Sequence, residues 1–242
     1  MLELQDASMA DHEIAQVTFE GKCVKMAIQN RDDLVQAQHR WGRFYELNQL
    51  LRHRNLIFHD STVLDVGANV GNHSIFYAAC TAASRVYSFE PNPPAIALLR
   101  RSIGLNDLAD KCDLSYLNMA VGEFESEIYV AGEYENNLGA TFFNAVAYTE
   151  DAKKVPCVPL DNLSFIGKIS FIKIDVEGME IEVLKGAQSL LEHHRPSIAV
   201  EINERNEKLF WEWVKRADYH VIDLFYESIG VRNYILIPIR PK

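Results

Sequence analysis

Residues 62–74 read Thr62-Val-Leu-Asp65-Val-Gly67-Ala-Asn69-Val-Gly71-Asn72-His73-Ser74, and this stretch decides the fold. Its opening run is rich in β-branched and apolar residues, which indicates a buried strand. Two glycines four residues apart follow, and residues 75–79 are then apolar at helical spacing. A strand, a glycine turn and a helix in this order open a nucleotide-binding βαβ unit. In such a unit glycine lets the backbone approach a ligand, and the helix N-terminus offers free N–H groups.

A second apolar strand is predicted from Arg85 to Phe89, and it ends at Glu90. Glu90 follows Asp65 by 25 residues and Gly71 by 19. Nucleotide-binding folds place at this distance the acid that holds ribose hydroxyls. The sequence therefore predicts a nucleotide-like ligand whose ribose contacts Glu90.

The glycine pattern indicates which nucleotide-like ligand is bound. A dinucleotide fingerprint, G-x-G-x-x-G, would need glycine at the positions of Asn69 and Asn72. The pattern Asp65-x-Gly67-x-Asn69-x-Gly71 instead resembles the first motif of class I S-adenosylmethionine (SAM) methyltransferases, with Asn69 in place of the middle glycine. SAM has no phosphate to bind, so its site requires fewer glycines.

Composition and charge exclude several classes of protein. The chain has 242 residues, 48% of them hydrophobic, a net charge of −10 and a pI near 5.3. The acidic balance argues against a nucleic-acid partner. The sequence contains no run of about 18 apolar residues, so no membrane span is predicted. The acidic N-terminus lacks the apolar core of a signal peptide. Four scattered cysteines indicate neither a zinc site nor disulfides. We expect a cytoplasmic protein.

A second informative stretch covers residues 169–180. An apolar strand from Ile169 to Ile174 is followed by Asp175, Glu177 and a glycine, and then by an apolar helix. The carboxyl ends of parallel strands form the ligand crevice of an open α/β sheet. An acid that directly follows a buried strand loses hydration unless it has a partner. Asp175 is therefore a candidate functional residue.

The whole chain alternates strands and helices and finishes in a hairpin across residues 228–230. We predict an α/β, Rossmann-like class I methyltransferase fold, with a seven-stranded, mostly parallel sheet and a C-terminal antiparallel hairpin. Residues 1–60 are predicted to be a small extension, a short hairpin plus a helix bending at Gly42, which could act as a lid. Residues 61–242 would form the main domain. Further expectations are a third strand at Leu114–Leu117, one helix after Glu180, an extra strand at Ser126–Ala131 and a substrate-facing loop at residues 132–150.

Three segments together resemble the FkbM family of SAM-dependent methyltransferases. They are the glycine stretch at 63–73, Phe89-Glu90-Pro91-Asn92 and Ile172-Lys-Ile-Asp175-Val-Glu177-Gly178-Met-Glu180, and Gly42-Arg-Phe44-Tyr45-Glu46 resembles the family's N-terminal segment. The resemblance implies O-methylation of a hydroxyl on a sugar, glycolipid or polyketide-like natural product. Asn203 departs from the family, in which many members have histidine at that position.

The resemblance also implies roles for individual residues. The cofactor-binding set is Glu46, Asp65, Gly67, Asn69, Gly71, Asn72, Glu90, Pro91, Asn118, Met119 and Ala120, the last three by their position after the third strand. A hydroxyl acceptor loses a proton, which a carboxylate or imidazole can accept. The candidates for this role are Asp175, Glu177 and His73.

Several alternatives stay open at this point. A divalent cation such as Mg²⁺, held by Asp175, Glu201 and Asn203, is the less favoured form of the mechanism. An NAD(P)-dependent oxidoreductase shares the strand–glycine–helix–acid order but lacks its glycine pattern and a second domain. A non-catalytic SAM-binding partner protein is the third reading. The sequence identifies neither the small-molecule acceptor nor the oligomeric state, a homo-oligomer included.

Overall fold

The computed structural model describes residues 12–132, 142–144 and 153–239. Its N-terminal part contains β1 (Glu13–Phe19), β2 (Lys22–Ile28), α1 (Leu34–Arg40) and α2 (Leu47–Arg54). The two strands form an antiparallel hairpin, and Glu20 and Gly21 adopt positive φ at its turn. Gly42, with φ of 74°, lies between the two helices. The structure thus has a hairpin followed by two helices, and Gly42 lies in the break between them.

In the described part of the chain, the main sheet has seven strands. They are β3 (Thr62–Val66), β4 (Arg85–Phe89), β5 (Cys112–Asp113), β10 (Ile169–Ile174), β11 (Ser197–Asn203), β12 (Tyr219–Ser228) and β13 (Val231–Pro238). Their spatial order is β12-β13-β11-β10-β3-β4-β5. All neighbours from β11 to β5 are parallel, whereas β13 is antiparallel to both β11 and β12. The predicted fold class is confirmed.

Among the residues that the structure describes, five α-helices accompany this sheet. They are α3 (Asn72–Cys80), α4 (Pro93–Leu105), α5 (Glu180–Lys185), α6 (Gln188–His194) and α7 (Glu207–Arg216). The expectation of one continuous helix after Glu180 is wrong, because the helix is interrupted after Lys185. At that point Gly186 packs directly against the backbone of Gly122, and a Cβ atom on Gly186 would lie 2.0 Å from the Gly122 carbonyl oxygen. This close backbone contact ends α5 and starts a new helix.

A second sheet contains β6 (Ala120–Val121), β7 (Ser126–Gly132), β8 (Phe142–Asn144) and β9 (Lys154–Val158) in the order β6-β9-β7-β8. Only the β7 segment was predicted as a strand. The prediction of a third strand at Leu114–Leu117 is wrong. The strand is β5, which ends where the Asp113 carboxylate accepts hydrogen bonds from the backbone N–H and hydroxyl of Ser115. The predicted substrate-facing loop lies outside the described residues, apart from Gly132 and β8.

The hydrophobic core lies on both faces of the main sheet because side chains alternate along each strand. Leu64 and Ile172 pack on one face, together with α5, α6 and α7. Val63 and Phe171 pack on the other face with α3 and with Met26 and other apolar residues of β1, β2 and α2. The N-terminal segment therefore covers one face of the sheet. The predicted boundary at residue 60 stays a prediction.

Within residues 12–132, 142–144 and 153–239, no helix is both long and apolar enough to span a membrane.

Candidate functional site

A cavity of about 500 Å³ lies where β3, β4, β10 and β11 end. This is the edge at which an open parallel sheet forms its ligand crevice. Eight of the residues predicted from sequence line it: Gly67, Asn69, Glu90, Pro91, Met119, Ala120, Asp175 and Glu177. The tertiary structure thus brings the predicted cofactor side and the predicted acceptor side into one cavity.

The other six predicted residues do not line the cavity. Asp65, Gly71, Asn72 and His73 are buried outside its lining. Glu46 contacts His73, and the exposed Asn118 follows the turn after β5. Gly71 has φ of 94°, and a Cβ atom there would lie 2.5 Å from the Leu99 side chain. This glycine allows α3 to begin against α4. Its contribution is to the shape of the turn.

Glu90 has the geometry of a buried hydrogen-bond acceptor. Its Oε2 accepts a hydrogen bond from the backbone N–H of Asn69 at 2.8 Å, and its Oε1 accepts one from the backbone N–H of Asn92 at 2.8 Å. Burial raises the pKa of Glu90 to about 7, although these two N–H groups oppose the shift. Each carboxylate oxygen retains a lone pair for another donor. Glu90 can therefore accept hydrogen bonds from hydroxyls in the cavity.

The glycine turn fits a ligand that donates hydrogen bonds. Gly67 has φ of 82°, and a Cβ atom on it would lie 1.7 Å from the Asp175 carbonyl oxygen, so only glycine fits. Asn69 also has positive φ, and its Oδ1 is buried. This oxygen has no hydrogen-bond partner among the described residues. A buried polar atom is normally paired, so the amide oxygen is suited to an ammonium or hydroxyl of a bound molecule.

Lys173 is a residue that the sequence analysis did not assign. Its Nζ donates to the Gly67 carbonyl oxygen at 2.6 Å and lies 3.1 Å from Oδ2 of Asp175 and 3.7 Å from Oδ1 of Asp65. Burial by itself lowers the pKa of the Lys173 ammonium, but the neighbouring Asp175 and Asp65 carboxylates raise it above its usual value. One charged side chain stands inside an apolar strand, in Ile172-Lys173-Ile174. This pattern could have identified Lys173 as a candidate site residue.

Three carboxylates of the cavity lining lie close together. One oxygen from each of Asp175, Glu177 and Glu201 lies within 4.8 Å of the others. Glu177 has φ of 53° and Gly178 has φ of 109°, so the chain turns sharply here and presents Glu177 to the cavity. Asn203, the third ligand of the alternative magnesium site, uses its Oδ1 to accept from the backbone N–H of Arg205. The three acids could accept a proton or hold a cation.

The N-terminal segment forms one wall of the cavity, through Leu34, Val35 and Tyr45. Asn72 fixes this wall: its Oδ1 accepts from the Tyr45 N–H at 2.9 Å, and its Nδ2 donates to the Tyr45 carbonyl at 3.1 Å. The Nε2 of His39 lies 3.0 Å from the same Oδ1. Burial lowers the pKa of His39 to about 4, although the bond to Asn72 opposes the shift, so the ring is neutral at pH 7. Neutral His39 therefore donates through Nε2.

The aromatic residues of the predicted lid have three different environments. Tyr45 lines the cavity, Phe44 is buried against Phe76, and Trp41 is exposed. The same segment thus docks on the core and borders the cavity.

Comparisons with known proteins agree with this fold. Residues 65–232 match the family described as the methyltransferase FkbM domain. The hexuronic acid methyltransferase AglP of Haloferax volcanii is 28% identical over 136 residues, which cover 55% of this chain and 52% of that protein. Methyltransferase sdnD of Sordaria araneosa is 27% identical over 153 residues, 51% of this chain and 59% of that protein. The matches therefore span little more than half of these relatives.

Two solved structures share the fold. The methyltransferase FkbM from Methylobacillus flagellatus superposes with a TM-score of 0.53 at 20% identity, covering 74% of this chain and 44% of that chain. The tRNA m1G37 methyltransferase of M. jannaschii gives a TM-score of 0.52 at 14% identity, covering 96% of this chain and 56% of that chain. The family match covers most of the chain, including the glycine turn, Glu90 and the acidic residues after β10. The chain belongs to the methyltransferase FkbM domain family, whose methyl donor is of the SAM type.

Proposed function

We propose that this protein transfers the methyl group of SAM to a hydroxyl of a sugar, glycolipid or polyketide-like natural product. One observation carries the proposal: Glu90 and the Asp175–Glu177 pair line the same cavity. A methyl donor bound at Glu90 and a hydroxyl bound at Asp175 would therefore share one space. The relative named as a hexuronic acid methyltransferase supports a sugar-like acceptor.

On the donor side, Glu90 would accept hydrogen bonds from the ribose hydroxyls, and Asn69 would accept one from the amino-acid part. Met119 and Ala120 would contact the adenine, since they line the cavity beside Glu90. SAM supplies a methyl group attached to a positively charged sulfur. The chain contributes alignment, which accounts for much of the rate when two reactants must meet in line.

On the acceptor side, Asp175 or Glu177 would accept the proton that the hydroxyl loses. A positioned base of this kind contributes roughly 10²–10⁴ to the rate. Glu201, close to both acids, and Ser228 also line the cavity and would orient further hydroxyl groups. A polyhydroxylated acceptor fits this set of oxygen atoms.

We propose that turnover needs no metal ion, because the Lys173 ammonium already offsets the charge of Asp175. Excess chelator should then leave the rate unchanged. A different result would assign the three acids to a cation instead: chelator removes the activity, and Mg²⁺ restores it in the wild type but not in Glu201→Gln.

The test is a binding and turnover screen of the wild-type chain. Calorimetry with SAM and with NAD(P) should show binding of SAM alone. Mass spectrometry should then find an added methyl group on at least one compound in a panel of uronic acid saccharides, neutral saccharides and hydroxylated polyketides. Binding of NAD(P) without SAM would favour the oxidoreductase. SAM binding with no turnover on any acceptor would favour a non-catalytic SAM-binding protein.

A further inference from the structure

Lys173 contacts two residues of the cavity lining that follow different strands, Gly67 after β3 and Asp175 after β10. It faces Asp65 in the register of the parallel strands β10 and β3. Its Nζ reaches the Gly67 carbonyl in the glycine turn and the Asp175 carboxylate at the end of its own strand. The residue is 6% exposed and does not line the cavity. It therefore acts through the groups that it holds.

The glycine turn keeps other hydrogen bonds that do not involve Lys173. The backbone N–H groups of Gly67 and Ala68 both donate to the Phe89 carbonyl, at 3.0 and 2.8 Å. The N–H of Gly71 donates to the Ala68 carbonyl at 2.9 Å. The donor side of the cavity is thus largely held by its own backbone.

The Asp175 carboxylate depends more strongly on Lys173. Its side chain is 33% exposed, and the ammonium lies 3.1 Å from Oδ2. Asp175 also lines the cavity, and one of its carboxylate oxygens lies within 4.8 Å of an oxygen of Glu177 and of Glu201. A carboxylate held at one oxygen by a buried ammonium has fewer orientations than a free one.

We propose that Lys173 is a positioning residue, which holds the donor turn and the acceptor carboxylate Asp175 at a set distance. The proposal rests on the function proposed above. It also divides the roles of the two acids: Asp175, paired with the ammonium, orients the acceptor hydroxyl, and Glu177 accepts its proton. Lys173 itself touches neither substrate.

The test replaces Lys173 by a neutral side chain of similar length, in Lys173→Met. This change leaves Asp65 and Asp175 without their buried cation, so the double variant Asp65→Asn/Lys173→Met removes one charge of each sign. Asp65→Asn alone is the control for the second substitution. Lys168→Met is the matched lysine control, because exposed Lys168 directly precedes β10 and contacts the His193 carbonyl.

The readouts are the melting temperature, SAM affinity by calorimetry and the single-turnover rate at saturating SAM and acceptor. We expect the rate of the double variant to fall on the order of 100-fold below that of Asp65→Asn, with SAM affinity within about threefold. Lys168→Met should match the wild type in all three. A merely structural lysine would change the melting temperature without this split between rate and affinity.

Two outcomes would overturn the proposal. Single-turnover rates of both Lys173 variants within about twofold of their controls would show that alignment does not need the ammonium. Failure of both variants to fold would make Lys173 a residue that holds the sheet rather than the site. Failure of the proposed function is distinguishable, because the wild-type chain itself would then transfer no methyl group to any acceptor.

Discussion

The Nε2 of His73 lies 3.3 Å from Oε2 of Glu46, and the two side chains are only 8% and 13% exposed. This pair joins the first turn of α3 to the residue that precedes α2. Glu46 also accepts a hydrogen bond from Nε2 of Gln49 at 2.6 Å. Two residues with separate predicted roles, a base and a cofactor ligand, therefore contact each other outside the cavity lining.

These contacts favour a structural role for His73. His73→Ala should lower the free energy of unfolding by about 1–3 kcal/mol, since it leaves a mostly buried carboxylate without this partner and removes ring contacts to Tyr77. The single-turnover rate per folded molecule should stay within about threefold. Chemical denaturation and rapid-quench assays measure the two quantities. A base at this position would show the reverse, a stable protein with a rate at least about 100-fold lower.

Asn72 is expected to act through Tyr45. Asn72→Ala should remove both amide bonds to the Tyr45 backbone, costing about 1–3 kcal/mol, and should weaken SAM binding because Tyr45 lines the cavity. Asn106 is the matched control, because its amide pairs in the same way with the N–H and carbonyl of Lys25, and neither residue lines the cavity. Asn106→Ala should change stability alone. Equal SAM affinity in both variants would contradict the role of Tyr45.

Glu90 should make SAM binding depend on pH. The ionised carboxylate accepts ribose hydroxyls, and its pKa without ligand is about 7. Affinity should therefore be constant well above pH 7 and should fall up to about tenfold per pH unit below it, as a proton must leave before binding. Calorimetry between pH 5.5 and about 8.5 measures this.

Two Glu90 variants check the assignment. Glu90→Ala should cost about 1.5–3 kcal/mol of SAM binding at high pH. The Glu90→Gln variant should bind SAM weakly, and its SAM affinity should not change with pH in this range. Wild-type affinity in Glu90→Ala would show that the ribose binds elsewhere.

Asp175→Asn and Glu177→Gln test the acceptor side. Each should leave SAM affinity nearly unchanged, and Glu177→Gln should lower single-turnover methyl transfer by roughly 10²–10⁴ if Glu177 is the base. Asp175→Asn removes the charge that pairs with Lys173, so its rate should fall through lost orientation. Glu192→Gln, on the surface of α6, is the control. Near-normal rates in both cavity variants, with circular dichroism unchanged, would indicate alignment with no protein base.

The fold could be predicted from sequence where it depends on local pattern. The order of neighbouring residues is enough to recognise three strands and their functional ends. These are the apolar runs of β3, β4 and β10, the glycine at 67 and the acids at 90 and 175. Parallel strands bring their carboxyl ends to one edge, so the shared cavity of Glu90 and Asp175 also followed. The sequence-based prediction placed the third strand at Leu114–Leu117 instead of at β5. Only two residues of β5 pair with β4, and the turn at Asp113 ends the strand, so its sequence carries almost no periodic signal.

The contacts of Lys173, Asn72 and His73 were decided by tertiary structure alone. Each depends on a partner far along the chain: Gly67 for Lys173, Tyr45 for Asn72 and Glu46 for His73. Sequence shows which residue types are present but not which buried polar atoms meet, since that depends on how strands register and how the N-terminal segment docks. Burial makes an unpaired polar atom costly, and the packed structure therefore selects the pairs.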